Sequence, residues 1–242
     1  MKKNILNIIL VLCVVGLLAS GVGLFMIYQR YHQAETEYTE IKETYTQEVV
    51  VETEEKEETV REIDFESLKE INEDIIGWIW LEDTEIDYPV LQSHDNDEYL
   101  HMTFNGTENS AGSLFVDARC NGMLSDDNTI IHGHNMKNGS MFHALNQYTD
   151  EDFYNQHRIF WIYTPEKSAR YKIISVYIGD ADSVSYYVEG MDMTYEEWLE
   201  TVYGMSMYET DGYDAEKKTI TLSTCHGSAG TSRRMIVHLQ EI

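Results

Sequence analysis

The sequence has few basic residues, with 17 Lys and Arg against 43 Asp and Glu, which gives a formal net charge of -26 at pH 7. Affinity for nucleic acids rests mainly on Lys and Arg side chains that neutralise phosphates, so this balance argues against a nucleic-acid partner. Cysteine is also scarce, because the 242 residues contain only Cys13, Cys120 and Cys225. Cys13 lies inside an apolar run, so at most one bridge, between the other two, could form. The scarcity excludes a disulfide framework, and any special cysteine here is better suited to chemistry than to structure.

Apolar residues are abundant by contrast. Hydrophobic residues make up 43% of the chain and aromatic residues 12%. A disordered chain combines low hydrophobicity with high charge, whereas this composition is sufficient to fill a sizeable core. We therefore expect at least one folded domain.

The first 30 residues have the features of a membrane anchor. Residues 4–29 carry no charge. As a helix, the stretch Ile5 to Tyr28 would be about 36 Å long at 1.5 Å per residue, which exceeds the ~30 Å hydrocarbon core of a bilayer. A cleavable signal peptide, cut near Ala19-Ser20-Gly21, is the alternative interpretation. The apolar run continues past that point to Ile27, which favours an uncleaved anchor over residues 1–30.

Charge on either side of the span predicts its orientation. Lys2 and Lys3 precede the span, whereas the segment after Arg30 is acidic. The positive-inside rule then places the N-terminus in the cytoplasm and the rest of the chain outside the cell, as a single-pass membrane protein.

Residues 31–63 form an acidic segment between the span and the rest of the chain. Within it, residues 35–62 contain 11 Glu against Lys42, Lys56 and Arg61. The composition predicts an extended or partly helical tether, and a solvated charge run without a partner is the simpler interpretation. Residues 64–242 have the size of one ordinary domain.

Hydrophobic periodicity predicts a helix at the start of that domain and shorter helices within it. Apolar residues recur at three- and four-residue spacing over Asp64–Ile76, before Gly77. Further helices are expected at Asp95–Leu100, at Ser140–Gln147 and after Thr194, which has capping-box spacing to a Glu.

Short strands dominate the rest of the domain. Eight runs rich in β-branched and aromatic residues are bounded by Gly, Asn, Asp or Pro. They are Trp78–Leu81, Glu85–Val90, Ser113–Asp117, Thr129–His132, His157–Tyr163, Tyr171–Gly179, Thr219–Thr224 and Met235–Leu239. Eight short strands predict a mainly β domain with accessory helices, built as a closed barrel or a sandwich.

Cys225 stands at the end of a predicted strand, directly before a loop rich in Gly and Ser. Taken alone, it would be interpreted as a small buried hydrophobe. However, His134 follows a second strand, and Arg233 and Arg234 open a third. A Cys, a His and an Arg could therefore meet at neighbouring strand ends.

The pair His132 and His134 also allows a metal site, because residues two apart on a strand point the same way. The sequence has no C-x-x-C or H-E-x-x-H arrangement to complete such a site, however. Gly133 between them favours a turn, in which only one His need face a pocket. The remaining histidines with no comparable context are His94, His101, His143, His157 and His238.

These segments together resemble the sortases, and class B sortases in particular. The resemblance rests on Thr221–Cys225, on Ile131–Met136 around His134, and on Arg234–Val237. It continues upstream in the same order, and covers about residues 64–242. The upstream segments are Asn72–Ile79, Ile86–Val90, Asp95–Leu100 and Gly112–Asp117.

The resemblance implies a sortase-type closed eight-stranded β-barrel with N-terminal helices, held outside the membrane of a Gram-positive bacterium. It implies a cysteine transpeptidase that cleaves a sorting motif of secreted proteins after Thr and forms a thioacyl enzyme. The product would be transferred to an amine of the peptidoglycan precursor, and the mechanism demands no cofactor. A pilin Lys is the alternative acceptor. A non-catalytic surface binding module on a sortase-like barrel is the alternative from another functional class.

The resemblance also implies roles for individual residues. Cys225 would be the nucleophile, His134 the general acid for the leaving amine, and Arg234 the donor to the oxyanion. Arg233 competes for the last role, but Arg234 directly precedes the apolar Met-Ile-Val run, as the arginine of the family does. His132 departs from the pattern, since class B members often have Tyr two places before the catalytic His.

Four residues are expected to contact the substrate by the same similarity. Asn96 and Leu100 would line the groove for the first residues of the motif, unless they are simply a helix cap and a core residue. Ser223 would lie beside the nucleophile, and Tyr187 would lie on the insertion before the Cys strand.

Overall fold

The chain begins with a long helix and a hairpin. A computed structural model describes residues 2–52, 57–122, 126–228 and 230–242. Helix α1 (Lys2–Tyr45) has 44 residues, and it is followed by strands β1 (Thr46–Glu52) and β2 (Glu57–Ile63), which pair antiparallel. Residues 53–56 of the predicted tether lie outside the described residues.

A closed barrel of eight strands forms the domain. The strands are β3 (Ile75–Trp80), β4 (Asp87–Gln92), β5 (Leu114–Val116), β6 (Asn128–His132), β7 (Ile159–Tyr163), β8 (Ser168–Asp180), β9 (Thr219–Cys225) and β10 (Arg233–Glu241). Each of the eight predicted strands overlaps one of these, so the predicted mainly β barrel with N-terminal helices is confirmed.

Strand direction determines which chain segments meet at one end of the barrel. The order around it is β10-β8-β7-β3-β4-β5-β6-β9, and β9 closes onto β10. Strands β6 and β9 run parallel, so their carboxyl ends lie side by side, whereas β10 runs antiparallel to β9 and begins where β9 ends. The segments after His132, after Cys225 and before Met235 therefore meet at one edge.

In the part of the chain that the structure describes, four α-helices and a 3₁₀ helix accompany the barrel. They are α2 (Phe65–Ile71), α3 (Glu98–His101), the 3₁₀ helix Phe142–Thr149, α4 (Glu151–Gln156) and α5 (Tyr195–Gly204). The predicted capping box is confirmed, since Thr194 and Glu197 bond each other's backbone at the start of α5.

The prediction of a helix over Asp64–Ile76 is wrong at its C-terminal end. Helix α2 stops at Ile71, and Asn72 has an extended backbone. Ile75 is fully buried, but it belongs to β3 and pairs with Leu91. The three-to-four spacing continued across the boundary because both elements bury apolar side chains in the same core, and periodicity alone does not separate them.

The second half of α1 packs against the barrel. Ala34, Tyr38 and Ile41 are buried there in the main core. Glu37 is also buried and accepts hydrogen bonds from Thr103 Oγ1 and from the backbone N–H of Asn105, both over 2.9 Å. The interpretation of this acidic segment as a charge run without a partner is therefore wrong in its helical part.

The hairpin after α1 is also joined to the barrel. The Arg61 guanidinium lies 2.8 Å from the buried carboxylate of Asp87 and stacks over the Trp80 ring. Trp78 Nε1 donates a hydrogen bond to the same carboxylate over 2.7 Å. Burial raises the pKa of Asp87, although Trp78 and Arg61 oppose that shift.

The first half of α1 has no such packing. The side chains from Ile8 to Tyr28 are mostly exposed, and most of them are apolar. Within the described residues, one helix is long and apolar enough to cross a membrane, and its most apolar window has a mean hydropathy of 2.8.

Candidate active site

Cys225 is the last residue of β9 and is only partly buried, unlike the six residues before it. Its antiparallel partner across the sheet is Arg234. The turn that follows Cys225 uses Gly227 at φ 89° and Gly230 at φ 80°, a backbone conformation that glycine adopts without strain. The thiol and a guanidinium therefore lie on adjacent strand ends, at an accessible edge of the barrel.

His134 follows β6 across a glycine that the packing requires. A Cβ on Gly133 would lie 2.3 Å from the side chain of Leu114 and 2.6 Å from that of Phe142, so a larger residue does not fit. The glycine between the two histidines is therefore a packing requirement.

The imidazole of His134 is oriented by a backbone carbonyl. Its Nε2 lies 2.9 Å from the carbonyl oxygen of Leu100. Because a carbonyl only accepts, Nε2 carries a hydrogen, and in the neutral ring Nδ1 is the nitrogen that can take up a proton.

Two hydrogen bonds join the His134 loop to the Cys225 strand. The backbone N–H of Gly133 donates to the carbonyl of Ser223 over 3.1 Å. The Asn135 side chain donates from Nδ2 to the carbonyl of Cys225 over 2.9 Å. The residue after His134 thus holds the backbone of Cys225 directly.

A second amide contacts the same carbonyl, and each amide is oriented by a histidine. Asn146 Nδ2 lies 3.3 Å from the Cys225 oxygen. His143 Nδ1 lies 2.7 Å from Asn135 Oδ1, and His226 Nδ1 lies 2.6 Å from Asn146 Oδ1. Both imidazoles must donate to these amide oxygens, so both carry a hydrogen on Nδ1. We call these four side chains the carbonyl clamp. The sequence did not single out any of them, because the two amides bond a backbone atom and the two imidazoles bond those amides.

The two adjacent arginines differ in exposure and in neighbours. Arg233 is exposed, whereas Arg234 is partly buried. Burial lowers the pKa of His226, and the charge of Arg233 lowers it further. Burial raises the pKa of Tyr186, and there the charge of Arg234 acts to lower it while that of Cys225 acts to raise it. Arg234 is thus the arginine on the side of Cys225 and Tyr186.

Arg234 is held by the turn that precedes it. Its Nη1 donates to the carbonyls of Thr231 over 2.9 Å and of Arg233 over 3.0 Å. These two bonds hold one edge of the guanidinium against the turn, next to the strand that carries Cys225.

His132 lies in an ionic cluster next to the site. Its Nε2 is 2.9 Å from Asp117, which also accepts two hydrogen bonds from the Arg119 guanidinium. Burial alone would raise the pKa of Asp117, but the bonds from His132 and Arg119 hold it well below its usual range. His132 and His134 therefore bond to different partners. No group of three His, Cys, Asp or Glu among the described residues is arranged to hold a metal ion.

Ser223 contacts a tyrosine next to the site. The buried hydroxyl of Ser223 lies 2.8 Å from the hydroxyl of Tyr186, whose ring lies 6.0 Å from that of His132. Tyr187 instead packs its ring against Trp198 and Tyr195. Tyr186, and not the expected Tyr187, is therefore the tyrosine that contacts Ser223, and the resemblance alone does not distinguish these two adjacent residues.

The other two residues expected to contact the substrate, Asn96 and Leu100, lie just before α3 and within it. Asn96 is exposed, precedes α3, and accepts a hydrogen bond from the backbone N–H of Ala118 over 2.8 Å. The helix-cap alternative for Asn96 is wrong, because the N-cap residue of α3 is Asp97. Leu100 lies within α3, and it is partly buried against the core while its carbonyl holds His134.

Comparisons with known proteins agree with this geometry. Residues 79–242 match the family described as Sortase domain. A sortase B of Listeria monocytogenes is 37% identical over 227 residues, which cover 92% of this chain and 91% of that protein. A sortase B of Staphylococcus aureus is 29% identical and covers 97% of this chain and 96% of its own length.

Solved structures are similar in fold as well. Sortase B of Bacillus anthracis in complex with AAEK1 has a TM-score of 0.74 and 33% identity, covering 89% of this chain and 99% of that one. A Staphylococcus aureus sortase B–substrate complex has a TM-score of 0.67 and 31% identity, covering 74% and 84%. The chain therefore belongs to the sortase family of cysteine transpeptidases, and within it to class B.

Proposed function

We propose that this enzyme cleaves the sorting motif of secreted proteins after Thr, with Cys225 as nucleophile, His134 as general acid and Arg234 as oxyanion donor. The observation that carries the proposal is the pairing of Cys225 with Arg234 across β9 and β10, next to the loop of His134. The Staphylococcus aureus sortase B was solved with its substrate, which supports a peptide ligand for this chain.

The first step forms a thioester. The Cys225 thiolate attacks the Thr carbonyl carbon, and the oxygen that becomes negative faces the Arg234 guanidinium. His134, as imidazolium, gives a proton to the nitrogen of the leaving peptide when the C–N bond breaks. The acyl group then remains on the Cys225 sulfur.

The second step releases the acyl group onto an amine. An incoming amine attacks the thioester carbonyl, His134 takes up the amine proton, and the thiolate leaves. The products are a new amide and the starting thiolate–imidazolium pair. Both steps need only groups of this chain and the two substrates, so the mechanism requires no cofactor.

The reactive protonation state is scarce without help from the protein. A free Cys with a pKa of ~8.5 is only about 3% thiolate at pH 7, and an imidazole near ~6.5 is about a quarter protonated. If they titrated independently, both would be in the required state in about 1% of molecules. Arg234 stays charged at working pH and pairs with Cys225 across the two strands, so it supplies a fixed positive charge at this edge of the barrel, which supports its assignment.

The substrate groove would run along the residues around Tyr186. Asn96, Leu100 and Ser223 are proposed to contact the motif, as is the Tyr186–Tyr187 segment. Three observations support this. Ser223 lies two residues before the proposed nucleophile, the Tyr186 hydroxyl bonds the Ser223 hydroxyl, and the carbonyl of Leu100 bonds His134.

The acceptor and the location form the rest of the proposal. We infer that residues 1–30 anchor the enzyme with its N-terminus in the cytoplasm, followed by the segment 31–63 and the catalytic domain 64–242 outside the cell. The apolar helix and the flanking Lys2 and Lys3 support this topology. In this location the acceptor would be an amine of the lipid-linked peptidoglycan precursor.

A peptide library tests substrate and acceptor together. The full-length enzyme in detergent micelles is incubated with sorting-motif peptides, and with either a peptidoglycan-precursor amine or a pilin-type Lys peptide. We expect cleavage after Thr, a thioacyl adduct on Cys225 by mass spectrometry, and transfer to the precursor amine. Transfer only to the Lys peptide would favour a pilin polymerase. Absence of any adduct with the whole library would contradict the proposed function.

A further inference from the structure

Helix α1 contributes one tyrosine that reaches two different supports of His134. Tyr38 lies ten residues beyond the end of the apolar stretch at Tyr28. It is almost fully buried against the barrel. Its hydroxyl and its ring make separate contacts, and each contact leads to the His134 loop by its own route.

The first route runs through the hydroxyl. Tyr38 donates to the carbonyl of Gly112 over 2.6 Å. Gly112 has φ 57°, and a Cβ there would lie 2.4 Å from the carbonyl oxygen of Tyr99 and 2.9 Å from that of Leu100. The backbone of Gly112 therefore packs directly on the Leu100 carbonyl, which accepts the hydrogen bond of His134 Nε2.

The second route runs through the ring. The rings of Tyr38 and Tyr88 meet edge to face with centroids 5.3 Å apart. The Tyr88 hydroxyl accepts a hydrogen bond from the backbone N–H of Met141 over 3.1 Å. Burial raises the pKa of Tyr88 to about 12, so this hydroxyl remains neutral at physiological pH.

Met141 is strained and lies next to His134. Its backbone has φ 58° and ψ -132°, a conformation that is costly for a non-glycine residue and that persists only when its surroundings impose it. Met141 forms an isolated bridge with Asn135, and the next residue, Phe142, donates its N–H to the carbonyl of His134 over 2.9 Å. The hydrogen bond to Tyr88 is thus one of the contacts that hold the loop in place.

We propose that Tyr38 is a positioning residue for His134, so that the helix leading from the membrane span forms part of the catalytic apparatus. The inference rests on the proposed role of His134 as general acid. One route fixes the carbonyl that orients the ring, and the other fixes the loop that carries it. Docking of α1 on the barrel then sets the angle at which the imidazole faces Cys225.

The test uses the full-length enzyme in detergent micelles with a cleavable sorting-motif peptide. Tyr38→Phe removes the first route and keeps the ring contact, Tyr88→Phe removes the bond to Met141, and Tyr38→Ala removes both routes. The matched control is Tyr163→Phe. The Tyr163 hydroxyl also accepts a backbone N–H from the N-terminal segment, that of Arg61 over 3.2 Å, but its partner is the hairpin and not the His134 loop.

We expect kcat to fall about three- to tenfold in each Phe variant at position 38 or 88, and about ten- to a hundredfold in Tyr38→Ala, with little change in KM. The pH profile of kcat should also shift in these variants and not in Tyr163→Phe, since a purely structural loss lowers the folded fraction without changing the profile. If Tyr38→Ala does not fold, the two Phe variants decide.

Two outcomes would overturn the inference. Either kcat and its pH profile stay normal in both folded Phe variants, or Tyr163→Phe changes them as much. His134→Ala in the same assay separates this from the proposed function. Loss of activity in that variant, with normal Tyr38 variants, refutes the positioning role alone, whereas full activity in His134→Ala refutes the proposed mechanism.

Discussion

The Asn135 side chain donates a hydrogen bond to the backbone carbonyl of Cys225 over 2.9 Å, so the residue next to His134 holds the backbone of the proposed nucleophile. His143 orients this amide through a hydrogen bond from its Nδ1 to the amide oxygen. On the other side, Asn146 and His226 repeat the arrangement. The carbonyl clamp thereby fixes the end of β9 relative to the loop that carries His134, the proposed general acid.

Removing one arm of the clamp is expected to slow catalysis. Asn135→Ala loses a hydrogen bond worth about 1 kcal/mol, which corresponds to about a fivefold lower kcat with little change in KM. Asn146→Ala should have a smaller effect, because its bond to the carbonyl is longer. Steady-state kinetics and the rate of Cys225 alkylation measure both. Asn121→Ala is the control, since Asn121 bonds Asp126 at the surface. An equal loss in the control would contradict the role of the clamp.

Cys225→Ala should abolish peptide cleavage while the circular dichroism spectrum stays unchanged, because the thiol is partly exposed at a strand end. Cys120→Ala is the matched control. Cys120 is buried, and burial raises the pKa of its thiol to about 11, so it is almost entirely protonated at pH 7. Mass spectrometry of the thioacyl enzyme locates the nucleophile. An adduct on Cys120, or full activity in Cys225→Ala, would refute the assignment.

The adjacent arginines can be separated by kinetics. Arg234→Ala should lower kcat about 10²- to 10³-fold with little change in KM, since it removes stabilisation that exists mainly in the transition state. Arg234→Lys should remain impaired, because an ammonium does not reproduce the planar fork of donors. Arg233→Ala should be mild, since its exposed charge is screened. A large loss in Arg233→Ala with near-normal Arg234→Ala would reverse the two roles.

His238 is expected to make the fold sensitive to acid. It is fully buried and bonds to Tyr177 and Thr221, and burial lowers its pKa to about 3. In the unfolded chain its pKa is ~6.5, so below that pH the unfolded state gains a proton that the native state does not hold. The contribution to stability is complete above pH 6.5 and falls by about 1.4 kcal/mol per pH unit between 6.5 and 3.

Urea unfolding at pH 7 and pH 5 measures this effect. The wild type should lose about 2 kcal/mol more than His238→Asn between the two values, since about 1.5 pH units lie below the unfolded pKa. Other titrating groups are common to both proteins and cancel in the comparison. The exposed His101 serves as control, and His101→Asn should behave like the wild type. Equal acid sensitivity of His238→Asn and wild type would contradict the prediction.

Protease added to intact protoplasts tests the topology. An uncleaved anchor with a cytoplasmic N-terminus predicts release of a fragment that contains residues 64–242. The same digestion after lysis is the control for accessibility. Protection of that fragment in intact protoplasts, or mature protein that starts near Ser20 to Val22, would contradict this orientation.

The features that depend on local chemistry could be predicted from the sequence. Eight short β-rich runs predicted a closed barrel or a sandwich, because alternation and turn residues are read over a few positions, and the resemblance to the sortases selected the barrel. The charge-free stretch to Tyr28 predicted the long apolar helix for the same reason. The Cys225, His134 and Arg234 motifs were recognisable because each lies within a short, contiguous segment.

The tertiary structure was needed for the features that join distant segments. It showed that α2 ends at Ile71. Periodicity did not show this end, because helix α2 and strand β3 bury apolar side chains in the same core. The tertiary structure packed Tyr38 against a barrel that begins over 30 residues later, and it turned Tyr186 rather than Tyr187 to Ser223. The carbonyl clamp has no sequence signal, since its two amides meet at one backbone oxygen, its two imidazoles bond those amides, and the four side chains come from three separate segments. Such contacts arise from chain closure around the barrel, and local propensity does not encode them.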